Sequence, residues 1–263
     1  MTRGPMAEAL HAEWTKVRTL PGTFWLLAGV VVLTAVAGGV TAAAVSCPAA
    51  GCGQDPAKVS LTGIDLGQAV AVIVAILVVT GEYGTGMIRV TLAAMPRRGA
   101  VLAAKAAIVT GLVLVTGAAA VAISMLAGRL ILPGRGFTLA RGYAALSLTG
   151  PDLRAAVGSV LYLGLVALLA LGLATAIRDS AVAIGAVLGL LYLFPVVATA
   201  LDPDWRRHLE QIGPMSAGLD VQATTRAALD SQALGPWAGL GVLALWAAGA
   251  MLLGGLVFSL RDA

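Results

Sequence analysis

Charged residues make up 11% of this 263-residue chain and aromatic residues 5%, and it holds two cysteines and two histidines. Each shortage closes off a class of chemistry. His11 and His208 lie far apart and neither belongs to a His-Glu-x-x-His pattern, so no zinc hydrolase centre is encoded. Cys47 and Cys52 are too few for a disulfide framework, and no second cysteine pair or flanking histidine completes a zinc site. There is no Gly-x-x-x-x-Gly-Lys-Ser/Thr phosphate loop, so the chain is not expected to hold ATP by itself. A Gly-x-Ser-x-Gly nucleophile turn is also missing. Asp202 and Asp204 are near enough for carboxylate chemistry, but Pro203 and Arg206-Arg207 beside them make a turn and a neutralised patch. No catalytic, cofactor-binding or metal-binding residue is expected.

The excess is apolar sequence: 59% of residues are hydrophobic and the mean hydropathy is +0.93, against roughly 45–50% apolar in a soluble domain. The net charge of +4 and pI near 9.4 reflect basic residues standing singly or in pairs at the ends of apolar blocks. That is the pattern of membrane-helix flanks rather than of a nucleic-acid surface.

Six runs approach the roughly 20 residues that a helix needs to cross hydrocarbon. They are Thr23–Val45, Leu66–Gly81, Ala100–Ala127, Ala155–Ile177, Ala181–Leu201 and Pro236–Leu260, the second being short unless it begins near Leu61. The expected fold is an all-α integral membrane protein, with residues 1–22 as an interfacial helix and 23–263 as a six-helix transmembrane domain. In the first segment Met6, Leu10, Trp14 and Val17 share one helical face while Glu8, Thr15 and Arg18 share another. The run after it is too long for a signal-peptide core.

An even number of spans puts both termini on one side. Of the 17 Lys and Arg, nine fall on that side (Arg3, Lys16, Arg18, Arg89, Arg97, Arg98, Lys105, Arg178, Arg261). The outer eight are offset by more acids and lie in longer loops, so the termini are expected to be cytoplasmic, in the plasma (inner) membrane. The Cys47/Cys52 loop then faces the oxidising side, where the two thiols are candidates for a local disulfide. The outer segment 202–235 is half apolar and reads either as re-entrant short helices or as a surface loop.

Within the spans, ionisable groups are expected only at the ends, at Glu82 and Lys105, which disfavours a proton-driven carrier. Small residues recur instead: Gly158, Gly164 and Gly172, Gly185 and Gly189, and Gly235 and Gly239 are expected to allow close helix packing. Gln68, Ser124, Ser159, Tyr162, Thr199 and Trp246 are either lining groups of a substrate path or packing residues.

One charged island interrupts the apolar sequence, at 82–99. Met87, Thr91 and Met95 recur every four residues with Ile88 and Leu92 beside them and Arg89 facing away, which predicts a short amphipathic helix. Gly84 and Gly86 turn the chain out of the second span and Pro96 ends the helix. Lipid anchoring accounts for Arg97 and Arg98, but not for Glu82 and the glycines before them.

Glu82-Tyr83-Gly84-Thr85, followed by a hydrophobic stretch, Pro96-Arg97-Arg98 and Lys105, resembles the signature of type-2 ATP-binding-cassette (ABC) export permeases. The likeness extends to the amino-terminal Glu13-Trp14-x-Lys16-x-Arg18 helix, the six spans, the tight turn Arg178-Asp179-Ser180, and Gly213-Pro214-x-x-Ala217-Gly218 before the last span. An arginine-rich outer segment after the third span and the lack of a large outer domain depart from it. The resemblance implies a membrane subunit that pairs with a second permease, a copy or a relative. Two nucleotide-binding ATPase subunits that carry ATP and Mg would power it. It also implies that residues 85–95 form a coupling helix, with Glu82, Tyr83, Gly84, Thr85, Met87, Arg89, Leu92, Pro96, Arg97, Arg98 and Lys105 at or beside the contact and Arg178 and Asp179 as a second one. On that reading, replacing Glu82 or Arg97/Arg98 uncouples ATP hydrolysis from transport and leaves expression nearly intact. A non-transporting anchor or sensor that recruits a cytoplasmic partner through the same loop is the alternative.

Overall fold

Backbone polar groups in hydrocarbon must be satisfied within the segment that carries them, so apolar blocks bounded by proline and glycine fold as helices. The computed structural model describes residues 5–19, 21–48, 52–94, 98–143, 145–147, 149–232 and 234–261. Among them every regular element is helical: α1 (Pro5–Thr19), α2 (Pro21–Ala44), α3 (Pro56–Leu61), α4 (Ile64–Gly84), α5 (Met87–Ala94), α6 (Arg98–Ile131), α7 (Gly150–Ile177), α8 (Ser180–Thr199), α9 (Pro203–Ile212), α10 (Pro214–Leu219), α11 (Arg226–Asp230) and α12 (Pro236–Arg261). Single 3₁₀ turns stand at Leu132–Arg135, Leu139–Arg141 and Asp220–Gln222. Six segments are long and apolar enough to cross a membrane: α2, α3 with α4, α6 with its 3₁₀ extension, α7, α8 and α12. The architecture is that of a multi-pass helical membrane protein.

Three spans exceed their sequence-based bounds, the fourth by beginning at Gly150, after the Thr149 N-cap and with Pro151 in its first turn. The second starts earlier because Asp55 caps α3, accepting from the N–H groups of Ala57 (3.1 Å) and Lys58 (3.3 Å), with Pro56 in the first turn. The third runs over 34 residues as α6, since nothing between Ala127 and Ile131 breaks it and Pro133 follows.

α7 is the axis of the bundle and packs against α4, α6, α8 and α12. Its closest neighbour is α12, where a Cβ on Gly172 would lie 2.4 Å from the Ala250 carbonyl carbon and one on Gly254 2.4 Å from the Gly172 oxygen. Gly158, Gly164 and Gly239 also sit against neighbours, as their spacing predicts, whereas Gly185, Gly189 and Gly235 face open space. The physical reason for α8 is peripheral placement: its buried residues, Ala183, Val187, Leu191 and Ala198, form one stripe, and its glycines lie off it. One close approach went unpredicted. A Cβ on Gly63 would come within 1.9 Å of the Thr34 carbonyl oxygen, so α2 and the start of α4 touch backbone to backbone.

At the end away from α1, loops are stapled rather than loose. Cys47 and Cys52 form a disulfide. The Asp55 carboxylate, 5% exposed, also accepts from the Thr224 N–H (2.6 Å), the Thr224 hydroxyl (2.7 Å) and the Thr225 N–H (2.9 Å), joining the first outer connector to the last. The segment 202–235 is a run of short helices. α9 is exposed, while Ala217, Gly218, Val221 and Gln222 are buried against α7 and α12.

Two outcomes follow from this packing. Gly172→Leu should destabilise the purified protein by about 1–3 kcal/mol or more, as overpacking does, while Gly185→Leu should leave its thermal midpoint unchanged. Burial pushes the Asp220 carboxyl up to about 6, over the opposing pull of the Leu234 N–H and Lys58. A raised carboxyl pKa means the folded state binds the proton more tightly, so stability gained on protonation is lost as pH rises from 3.8 through about 6. Asp220→Asn should therefore raise the midpoint at pH 7.5 and flatten its change between pH 7 and 5.

Candidate functional site

At the α1 end, four ionisable side chains from three helices meet. Glu13 and Lys16 are one turn apart on α1, which puts them side by side. Glu82 comes from the last turn of α4, and Lys105 from about two turns inside α6. The Lys105 ammonium lies 2.7 Å from Glu13 Oε2 and 2.8 Å from Glu82 Oε1, and Lys16 lies 2.8 Å from Glu13 Oε1 and 2.8 Å from Glu82 Oε1. The cluster is a closed, formally neutral ring. Lys16 spends its third proton on the Thr91 hydroxyl of α5 at 3.3 Å, and Lys105 points one toward the Val78 carbonyl at 3.5 Å. Glu13 is 1% exposed, Lys105 4% and Glu82 7%, so the ring is an interior feature.

Carbon-rich surroundings make this arrangement obligatory. A lone buried charge costs several kcal/mol, and only opposed charges with their remaining hydrogen-bonding capacity filled offset that cost. Burial pulls the Lys16 ammonium down, but hydrogen bonds to Glu13 and Glu82 and their charge outweigh it and hold its pKa above the usual 10.5. One atom stays unmatched: Glu82 Oε2 is buried with no hydrogen-bond partner.

Around the ring the other island residues take up structural duties. Arg178 caps α7 in the left-handed conformation at φ 66°, sets its guanidinium 5.2 Å from the Tyr83 ring centroid and donates to the Val257 carbonyl of α12 at 3.4 Å. Asp179 caps α8 by accepting from the Val182 N–H at 2.8 Å. Arg98 donates to the Phe258 (3.3 Å) and Ser259 (3.0 Å) carbonyls near the end of α12. The 178–180 turn and the 82–99 island, far apart in sequence, thus share one end of the bundle. Gly84 and Thr85 close α4, the Thr85 hydroxyl bonding back to Gly81 O at 2.9 Å.

α5 forms where it is predicted, but Met87 and Thr91, expected on one face, differ: Thr91 is buried, while Met87 and Val90 are exposed at 44% and 71%. Pro96 and Arg97 lie outside the described residues, as do the side chains of Arg89 and Leu92. On α1, Met6, Trp14 and Arg18 are exposed, and the side packed on the bundle is Ala9, Glu13 and Lys16.

Three expectations are corrected here. Glu82 and Lys105 are not surface contacts for another protein, because both are buried and consumed by the ring. For the same reason, replacing Glu82 strikes the fold, and near-intact expression is no longer expected of such a variant. Ionisable groups are also not confined to span ends, since Lys105 stands well inside α6 and Asp65 lies within the second span. Sequence reasoning quoted Glu13 only within the Glu13-Trp14-x-Lys16-x-Arg18 resemblance and gave it no place at the site, although its spacing to Lys16 puts the two on one helical face.

The six residues offered for a substrate path do not converge. Gln68 and Tyr162 hydrogen-bond to each other and Gln68 Nε2 reaches Met215 Sδ at 3.2 Å, while Ser159 accepts from Gln222 at 3.2 Å and Ser124 donates to the Thr34 carbonyl at 3.5 Å. These four are wholly buried in one subunit and have the geometry of packing residues. Thr199 bonds its own helix at Val196 O, and Trp246 donates to Ile212 O at 2.9 Å beside an apolar groove of about 580 Å³. Among the described residues no group of three or more His, Cys, Asp or Glu could hold a metal.

Neither the protein-family models nor the curated proteins contain a match to this chain. Fold and site therefore rest on its own residues.

Removing one member of the ring strands its partners, at about 3–5 kcal/mol for a buried pair. Lys105→Met should lower the thermal midpoint sharply. The Glu13→Gln/Lys105→Met double variant should recover part of that loss, and strictly additive effects would disprove coupling. The Lys16 contribution is full below pH 10.5 and fades only as pH rises through its higher folded value, so Lys16 should add no pH dependence to stability between pH 6 and 9.

Proposed function

We propose that the chain is the membrane-spanning permease subunit of an ATP-driven ABC exporter of the type-2 kind. It moves an amphiphilic substrate out of the cytoplasm, a drug, lipid or peptide. A separate nucleotide-binding ATPase, present in two copies with ATP and Mg, powers it, and a second permease subunit completes the assembly. The sequence resemblance at Glu82-Tyr83-Gly84-Thr85 and Pro96-Arg97-Arg98 supports this reading.

One structural observation carries it. α5 presents Met87 and Val90 outward while Thr91, on its inner side, holds Lys16 of the ring. A partner that displaces α5 therefore pulls on α1, α4 and α6 together through short charged contacts. Binding drives such a displacement only through its different affinity for the two positions. The ring serves as the mechanical joint and the exposed face of α5 as the docking surface.

The test is co-expression of the chain with a candidate nucleotide-binding ATPase of the same source, followed by affinity purification and an ATPase assay with added amphiphiles. Val90→Arg should lower ATPase recovery about tenfold or more, the scale of a lost interface anchor, without changing the permease's thermal midpoint. Recovery at the wild-type level would remove α5 as the docking element.

A further inference from the structure

On the α1 side, a groove of about 570 Å³ opens sideways between α1, α2 and α4. Leu26, Val74, Leu77 and Val78 line its walls, and its polar end is formed by the charged ring. The size suits a small amphiphile.

The polar end has an unusual donor balance. Lys16 gives its protons to Glu13, Glu82 and Thr91, and Lys105 gives its own to Glu13, Glu82 and Val78 O. The Thr19 hydroxyl donates to the Thr15 and Lys16 carbonyls, and that of Thr85 donates to Gly81 O. Both threonine oxygens face the groove with only acceptor capacity left. Beside them lies the unpartnered Glu82 Oε2, on a side chain more than nine-tenths buried. The unmet group at the charged end of the groove is thus an acceptor, a carboxylate oxygen.

From this geometry we propose that the groove binds one aminophospholipid of the adjoining leaflet, its primary ammonium donating to Glu82 Oε2 and to the threonine hydroxyls and an acyl chain lying along the apolar walls. A primary ammonium brings three protons on one centre. A quaternary ammonium brings none, and a phosphate at that position is repelled by the Glu82 carboxylate. Lys16 is the ring member that yields to admit the head, its side chain being 24% exposed against 4% for Lys105. The site stands whether or not the chain is an exporter.

Native mass spectrometry of the full-length protein in mild detergent tests this, with phosphatidylethanolamine, phosphatidylcholine and phosphatidylglycerol added at equal concentration. One phosphatidylethanolamine should be retained about tenfold over phosphatidylcholine, the scale of a charge-assisted hydrogen bond. Gly81→Leu should abolish that retention without lowering the thermal midpoint. Gly81 lines the groove and a Cβ there meets nothing within 4 Å, so a side chain at this position has open groove space to fill. Leu77→Trp blocks the same groove from a position already 40% exposed, and serves if Gly81→Leu fails to fold. Equal retention of the three lipids, preference for phosphatidylglycerol, or undiminished retention by a folded groove-filled variant would each overturn the proposal.

Discussion

A charge buried in a carbon-rich interior must meet its opposite, and the α1 end of this molecule is built around that requirement. Glu13, Lys16, Glu82 and Lys105 arrive from three separate helices, and none is tolerable there without the others. Because the contacts are short and directional, they fix the axial position of α1 against α4 and α6 in a way that apolar side chains, which slide past each other at little cost, do not. The amphipathic α5 is drawn into the same arrangement through Thr91.

The opposite end solves a similar problem with one anion. Asp55 caps α3 and accepts three further hydrogen bonds from Thr224 and Thr225, so a single carboxylate fastens two loops about 170 residues apart in sequence. Its partners are backbone N–H groups and a hydroxyl, and no countercharge is needed. The disulfide and the buried Ala217–Gln222 stretch add to this stiff cap. Between the two ends, cohesion depends on close backbone approach at glycines, as expected where lipid is as apolar as the helices it surrounds.

A rigid cap at one end and a charged joint at the other give the molecule a mechanical polarity. On the proposed function, movement entering at α5 would be carried by the ring into three helices, while the loops at the opposite end are held by the disulfide and Asp55. Arg178 and Arg98, which clamp the ends of α7 and α12 on the α5 side, extend the joint across the bundle. That polarity is what an ATP-driven lever needs, and it is the physical content of the exporter reading.

Sequence by itself determined the spans, because hydrophobic length is a local property: six runs became six spanning segments, and the periodicity of Met87, Ile88 and Thr91 became α5. It also marked Glu82, Lys105, Tyr83 and Arg178 as residues worth attention. Tertiary structure alone decided what those residues do. Pairing between Glu13 and Lys105, or between Asp55 and Thr224, joins positions whose separation carries no periodic signal. Whether a small residue meets a neighbour or open space, as at Gly172 and Gly185, depends on where its helix sits in the bundle. The island at 82–99 first reads as a charged surface loop. In the folded chain its first charge is interior while Thr85, Met87 and Val90 stay exposed, because a carboxylate next to two ammonium groups is more stable there than alone.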